Sequence, residues 1–111
     1  MSVPSQDLET VITQDQLAAA KGGDGNNLWV GLWVASLNKI CVFDVSSRPD
    51  FYGPGSGYHI FTGRDASRAL ATMNLKEDAS NIDDLNEDQL KVLADWARKY
   101  LEKYPIVGVL G

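Results

Sequence analysis

The chain has one cysteine and one histidine in 111 residues. A lone cysteine excludes an intramolecular disulfide. Cys41 lies in the apolar run Ile40-Cys41-Val42-Phe43, where a small buried hydrophobe is expected rather than a reactive thiol. One histidine and one cysteine cannot supply the three or four N or S ligands of a zinc site. Positive charge is also scarce: ten Lys and Arg face fifteen Asp and Glu, for a net charge of −5 and a pI of about 4.6. No nucleic acid partner is expected, because phosphate binding needs a basic stripe. A polybasic membrane anchor is excluded on the same ground. The longest apolar stretch runs from Leu28 to Leu37, interrupted by Gly31 and Ser36, which is half of the roughly 20 residues a spanning helix requires. No transmembrane segment is therefore expected. Met1 to Asp7 shows neither a basic nor an apolar region, so it does not read as a signal peptide. The expectation is a soluble chain in a reducing, cytoplasmic compartment.

What is present suffices for one domain with a modest core, since 44% of the residues are hydrophobic. Residues 1–10 are polar and are expected to be a flexible leader, with the domain occupying 11–111. Thr13 with Gln16 predicts a capping box, and Gly22-Gly23 a helix end. Asp24 to Asn27 reads as a turn. Leu28 to Ala35 and Lys39 to Val45 read as two strands broken at Asn38. Leu28, Val30, Leu32 and Val34 share one strand face, and Trp29 and Trp33 the other. The two tryptophans are expected to be core or edge cover. The near-repetition around them leaves room for a bulge and an uncertain register. Ser46 to Asp50 reads as a loop in which Pro49 ends the strand. Ala66, Ala69, Leu70 and Met73 have helical spacing, with Thr62 or Asp65 as cap. Residues 76–86 are polar and acidic, anchored by Ile82 and Leu85. Asn86 and Gln89 predict a second capping box. Leu90, Leu93, Ala94, Ala97 and Leu101 predict the inward stripe of a helix that Pro105 stops. Ile106 to Leu110 reads as a last strand. Helices and strands do not alternate strictly, so the fold class is α+β with no βαβ repeat.

Phe51 to Leu70 concentrates two of the four tyrosines, the only histidine and much of the glycine, and reads as the wall of a ligand pocket. Its glycines and Pro54 forbid regular structure from Gly53 to Gly57. Gly53-x-Gly55-x-Gly57 lacks the Lys-Ser/Thr of a phosphate loop. No serine and acid are spaced to serve His59 as a catalytic triad. The carboxylates at 77–88 read as a solvated face. The chain is accordingly not expected to be an enzyme. Tyr52 and Tyr58 flank the glycine loop. A phenol ionises near pH 10 when free, ferric iron favours the phenolate, and tyrosine is an axial ligand of haem iron. A second phenol can hold the first in place. Spacing alone favours two half-buried rings capping the core.

Val42-Phe43-Asp44-Val45-Ser46, Phe51-Tyr52-Gly53-Pro54, Gly57-Tyr58, Phe61-Thr62-Gly63-Arg64-Asp65-Ala66-Ser67-Arg68-Ala69-Leu70-Ala71-Thr72, Asp95-Trp96 and Lys103-Tyr104 together resemble the membrane-associated progesterone receptor family. That family is a branch of the cytochrome b5-like haem/steroid-binding domains. The resemblance covers about Ile12 to Val109. It implies a cytochrome b5-like fold, a small mixed sheet with helices around an open pocket. It implies haem b, ferric protoporphyrin IX, held five-coordinate by a single tyrosinate, and Tyr58 matches that metal ligand. Tyr52 matches the tyrosine that hydrogen-bonds the ligand. Lys103 and Tyr104 match a pair contacting the haem and its propionates. Bis-histidine ligation within one chain is excluded by the single His59. As an extended-strand neighbour of Tyr58, His59 is expected to point away rather than act as a further ligand. Arg64 and Arg68 are expected to pair with nearby acids rather than with propionates.

The resemblance further implies a haem carrier or sensor, or a partner of haem-thiolate (P-450-type) monooxygenases in sterol metabolism. The location would be cytoplasmic, with association to the endoplasmic reticulum or other endomembranes through partners. Open coordination would permit a haem-dependent homodimer. The alternative is a haem-free module that binds a steroid or sterol or a protein, favoured by the tryptophan-rich segment from Trp29 to Asn38. That segment is longer than expected for the family.

Overall fold

A computed structural model of the chain describes residues 4–22, 27–74 and 82–111. The element order is β1 (Val11–Ile12), α1 (Gln14–Ala19), β2 (Trp29–Val34), β3 (Lys39–Asp44), α2 (Pro49–Tyr52), a 3-10 turn (His59–Phe61), α3 (Ser67–Thr72), α4 (Glu87–Lys103) and β4 (Ile106–Leu110). The four strands form one mixed sheet in the order β1-β4-β3-β2. β1 runs parallel to β4, and the other two pairings are antiparallel. This is the expected α+β class with a small sheet.

The β2–β3 hairpin pairs without interruption from Trp29↔Asp44 to Val34↔Lys39. Asn38 at φ 55° turns the chain between them. The near-repeated Trp-Val motif thus inserts no bulge. The irregularity of the sheet lies instead between β3 and β4, at Val42 and Phe43. Alternation sorts the residues as strand geometry demands. Val30, Leu32, Val34, Cys41 and Phe43 enter the main core with α3 and α4. Val42 enters a smaller cluster with Ile12 and Leu17, against which Trp29 packs. Trp33 packs against the main core. Cys41 is fully buried, and burial raises its thiol pKa, as an inert core cysteine requires. In the leading segment, the Asp7 amide donates to Ile106 and the Ile106 amide to Ser5, which lays Ser5–Asp7 along β4.

Both capping boxes form, at Thr13/Gln16 and Asn86/Gln89. The Asn86 side chain accepts from the Gln89 amide at 2.8 Å, and the Gln89 side chain accepts from the Asn86 amide at 3.0 Å. Asn86→Ala will lower stability by about 1 kcal/mol, read as a lower urea midpoint at unchanged slope.

Four local expectations are corrected. α1 ends at Ala19, before Gly22, and Gly23 to Asn26 lie outside the described residues. Pro49 starts α2 rather than closing a loop, because its fixed φ and missing N–H suit a first helical turn. Met73 leaves the helical face: it is the left-handed C-cap of α3, at φ 54° and exposed. In α4 the buried row is Leu93, Ala97 and Tyr100, while Leu90 and Ala94 face outward. A stripe drawn through aliphatic residues alone passes over the buried tyrosine. Of the acidic stretch 76–86, residues 76–81 lie outside the described residues, and Leu85 is buried as expected.

The segment 63–67 is stitched to β2. Gly31 donates to the Arg64 carbonyl and accepts from the Ala66 amide. The Trp33 amide donates to Ser67 Oγ at 2.7 Å, and Ser67 Oγ donates in turn to Asp65 Oδ1. A Cβ at Gly31 would stand 3.1 Å from the Asp65 backbone, a tight contact that glycine avoids. Asp65 Oδ1 also accepts the Ser67 amide, but the N-cap of α3 is Ala66 without a side-chain cap, so neither expected residue caps the helix. Thr62 instead donates to the His59 carbonyl. This stitching fixes where the polypeptide turns back toward the glycine loop.

Candidate functional site

The loop after α2 is short and closed upon itself. Gly53 donates to the Pro49 carbonyl, Ser56 to that of Gly53, and Tyr58 to that of Phe51. The His59 ring joins this set, with Nδ1 2.9 Å from the Tyr52 carbonyl oxygen. The loop is thereby pinned with Phe51, Tyr52 and Tyr58 on one wall. The opposite wall is the C-terminal half of α4. Trp96, Tyr100 and Lys103 recur there at helical spacing, with Lys99 one turn before Lys103. Tyr104 follows the helix in extended conformation, and its amide returns to the Tyr100 carbonyl. Between the walls lies a cavity of about 220 Å³ lined by Phe51, Tyr52, Tyr58, Trp96, Lys99, Tyr100, Lys103 and Tyr104.

All four residues singled out in the sequence, Tyr52, Tyr58, Lys103 and Tyr104, therefore meet in one cavity. His59, Arg64 and Arg68 do not line it. His59 sits in a 3-10 turn rather than an extended segment, and its ring serves the Tyr52 backbone. Arg68 pairs with Asp84, as expected of an arginine near acids. Phe51, Trp96, Lys99 and Tyr100 complete the lining. Their signal was available: from Trp96 the chain repeats aromatic and basic residues at i, i+3, i+4, i+7 and i+8.

The rings pack edge to face. Tyr58 meets Trp96 at 6.3 Å between centroids, Tyr52 meets Tyr104 at 6.0 Å, and Tyr100 meets Tyr104 at 5.2 Å. Such pairs add to burial energy and leave the ring faces available to a flat apolar guest. The four phenols differ in chemistry. The Tyr52 and Tyr100 hydroxyls bond each other at 2.7 Å. Both residues are buried, and burial pushes both phenols well above the ordinary tyrosine range. They stay protonated and bonded to one another, with Tyr104 as a further partner of Tyr52. The Tyr52 hydroxyl thus has in Tyr100 a partner to which the resemblance did not point. Tyr104 is 6% exposed, whereas Tyr58 is 39% exposed at the cavity mouth. Among the described residues no histidine, cysteine or carboxylate lines the cavity, so its side-chain oxygen donors are phenols. Among the described residues no His/Cys/Asp/Glu group is arranged to hold a metal ion on its own.

A second concavity, about 280 Å³, lies between β2 and α4 and is lined by Trp33, Ala35, Leu90, Leu93 and Ala94. Among the described residues no helix is long and apolar enough to cross a membrane.

Comparison with known proteins gives a consistent picture. The family described as "Cytochrome b5-like Heme/Steroid binding domain" matches residues 13–111. The chain is 40% identical over 102 residues to neuferricin of Danio rerio, covering 90% of this chain and 36% of that protein. It is 46% identical over 74 residues to membrane-associated progesterone receptor component 2 of Homo sapiens, covering 62% of this chain and 33% of that protein. The chain thus spans about a third of the length of these curated relatives. Among solved structures, an Arabidopsis thaliana protein described as having a cytochrome b5-like fold superposes with a TM-score of 0.76 at 35% identity, over 91% of this chain and 90% of that one.

Proposed function

Since the chain belongs to the cytochrome b5-like haem/steroid-binding domain family, we propose that its aromatic cavity binds ferric haem b, with the Tyr58 phenolate as the single protein ligand. The observation that carries this reading is the division of labour among the four phenols. Tyr52 and Tyr100 are locked together and held neutral by burial, Tyr104 is buried, and Tyr58 stands at the mouth. Bound haem would supply a ferric centre, which the Tyr58 phenolate would hold. The protein supplies the rest. Trp96 and Phe61 both pack against the Tyr58 ring. Tyr52 and Tyr104 form the apolar floor, and Lys103 offers a cation at the rim. Tyr52 supports Tyr58 through ring contact at 5.8 Å, while its hydroxyl serves Tyr100.

A phenolate stabilises ferric iron, which suits carriage or sensing of haem, or assistance to a haem-thiolate monooxygenase of sterol metabolism, better than electron shuttling. The protein is proposed to act by binding. An open haem face would permit pairing of two copies through stacked haems. A cytoplasmic location with endomembrane association through partners follows from this reading. The test is a visible-absorption titration with ferric haem. A saturable high-spin spectrum supports the proposal, and the absence of saturable uptake removes it.

A second reading is a haem-free steroid or protein-binding module. The apolar concavity at Trp33, Leu90 and Ala94 favours it. Saturable sterol binding that persists when ferric haem is not taken up would select it.

A further inference from the structure

The description of the family names two chemically different guests, a dicarboxylate porphyrin and a neutral steroid. The charge at the rim of this cavity distinguishes them. The chain carries a net charge of −5, yet the charged side chains lining the cavity are Lys99 and Lys103, both positive. They stand one helical turn apart on α4 and are exposed. Lys99 Nζ lies 5.3 Å from the Trp96 ring centre, on the cavity wall. The nearby Arg98 is turned to Asp95 at 3.3 Å on its own helix. A concave aromatic surface with two cations on one edge, in an acidic protein, is complementary to a flat apolar body bearing two carboxylates on one side.

We propose that Lys99 is a specificity-determining residue of this cavity. With Lys103 it selects a dianionic planar ligand over a neutral one of similar shape. This rests on the reading of the cavity as a haem site and sharpens it, because the resemblance pointed to Lys103 but not to Lys99. Exposed charges act weakly one at a time, so each lysine is expected to contribute about 3- to 5-fold in affinity. Screening by salt reduces the effect.

The experiment uses metal-free protoporphyrin IX and its dimethyl ester, which lack the iron that Tyr58 would hold and differ only in the two carboxylates. Binding to the full chain is followed by quenching of tryptophan fluorescence at low and high salt, for the wild type, Lys99→Gln, Lys103→Gln and the double variant. Ferric haem is titrated into the wild type in parallel. The expected result is a preference of about 10-fold for the free acid in the wild type, smaller in each single variant and absent in the double variant, with ester affinity unchanged throughout. The salt dependence for the free acid should weaken along the same series. Equal loss of both porphyrins in Lys99→Gln would mean a structural role and would overturn the assignment. So would an unchanged preference in that variant, or a wild type that binds ferric haem but does not discriminate acid from ester; in both cases the haem reading stands. If ferric haem and both porphyrins fail to bind the wild type, the haem reading falls and this inference with it.

Discussion

Replacing Tyr58 with phenylalanine will lower the affinity for ferric haem by more than about 100-fold and erase any phenolate-to-iron absorption. Loss of a group that merely supports a metal ligand costs about 10- to 100-fold, and loss of the ligand itself exceeds that. The substitution removes one oxygen. It keeps the ring contacts to Trp96, Phe61, Phe51 and Tyr52. At 39% exposure no buried cavity is opened. A normal melting curve beside an altered spectrum is therefore the expected signature. The other phenols are poor substitutes. Two are bonded to each other, and ionising either in its buried setting is unfavourable. Unchanged affinity and spectrum in the variant would sink the proposal that Tyr58 ligates iron.

Tyr100→Phe will destabilise the fold by about 1–3 kcal/mol, because it removes the 2.7 Å partner of the buried Tyr52 hydroxyl. For a domain of this size that is a fall in Tm of about 4–8 °C per kcal/mol. Tyr52→Phe should cost a similar amount. The double variant should be more stable than the sum of the singles predicts, since neither buried hydroxyl then remains. The pair also sets an alkaline limit. Burial raises both folded-state phenols above the ordinary value of 10.0, so the unfolded chain releases its protons first. Their contribution is fully present below about pH 10 and is lost as the pH climbs beyond it. Urea unfolding at rising pH should show this loss in the wild type and less of it in the double variant. Strict additivity of the two single variants would show that the hydroxyls do not act as a pair.

How much of this was legible in the sequence depends on the range over which each feature is decided. Thr13/Gln16 and Asn86/Gln89 were readable as caps because donor and acceptor are three residues apart. The strands around Trp29–Val34 and Lys39–Asp44 were readable because alternation is a property of neighbours. The composition by itself excluded a disulfide, a zinc site and bis-histidine ligation. The quoted motifs named the family and placed Tyr52, Tyr58, Lys103 and Tyr104 in one site. The face of α4 was legible only in part, at Leu93, Ala97 and Leu101, because which side of a helix is buried depends on what packs against it. Here the sheet and α3 received Leu93, Ala97 and Tyr100 and left Leu90 and Ala94 outside. The partner of the Tyr52 hydroxyl was not legible either, since it comes from 48 residues away. Local chemistry therefore determined the elements, the exclusions and the candidate phenols. Only the tertiary structure decided which phenol is spent, which is exposed, and which two lysines edge the cavity, because hydrogen bonding and desolvation are settled between segments that meet only in the folded chain.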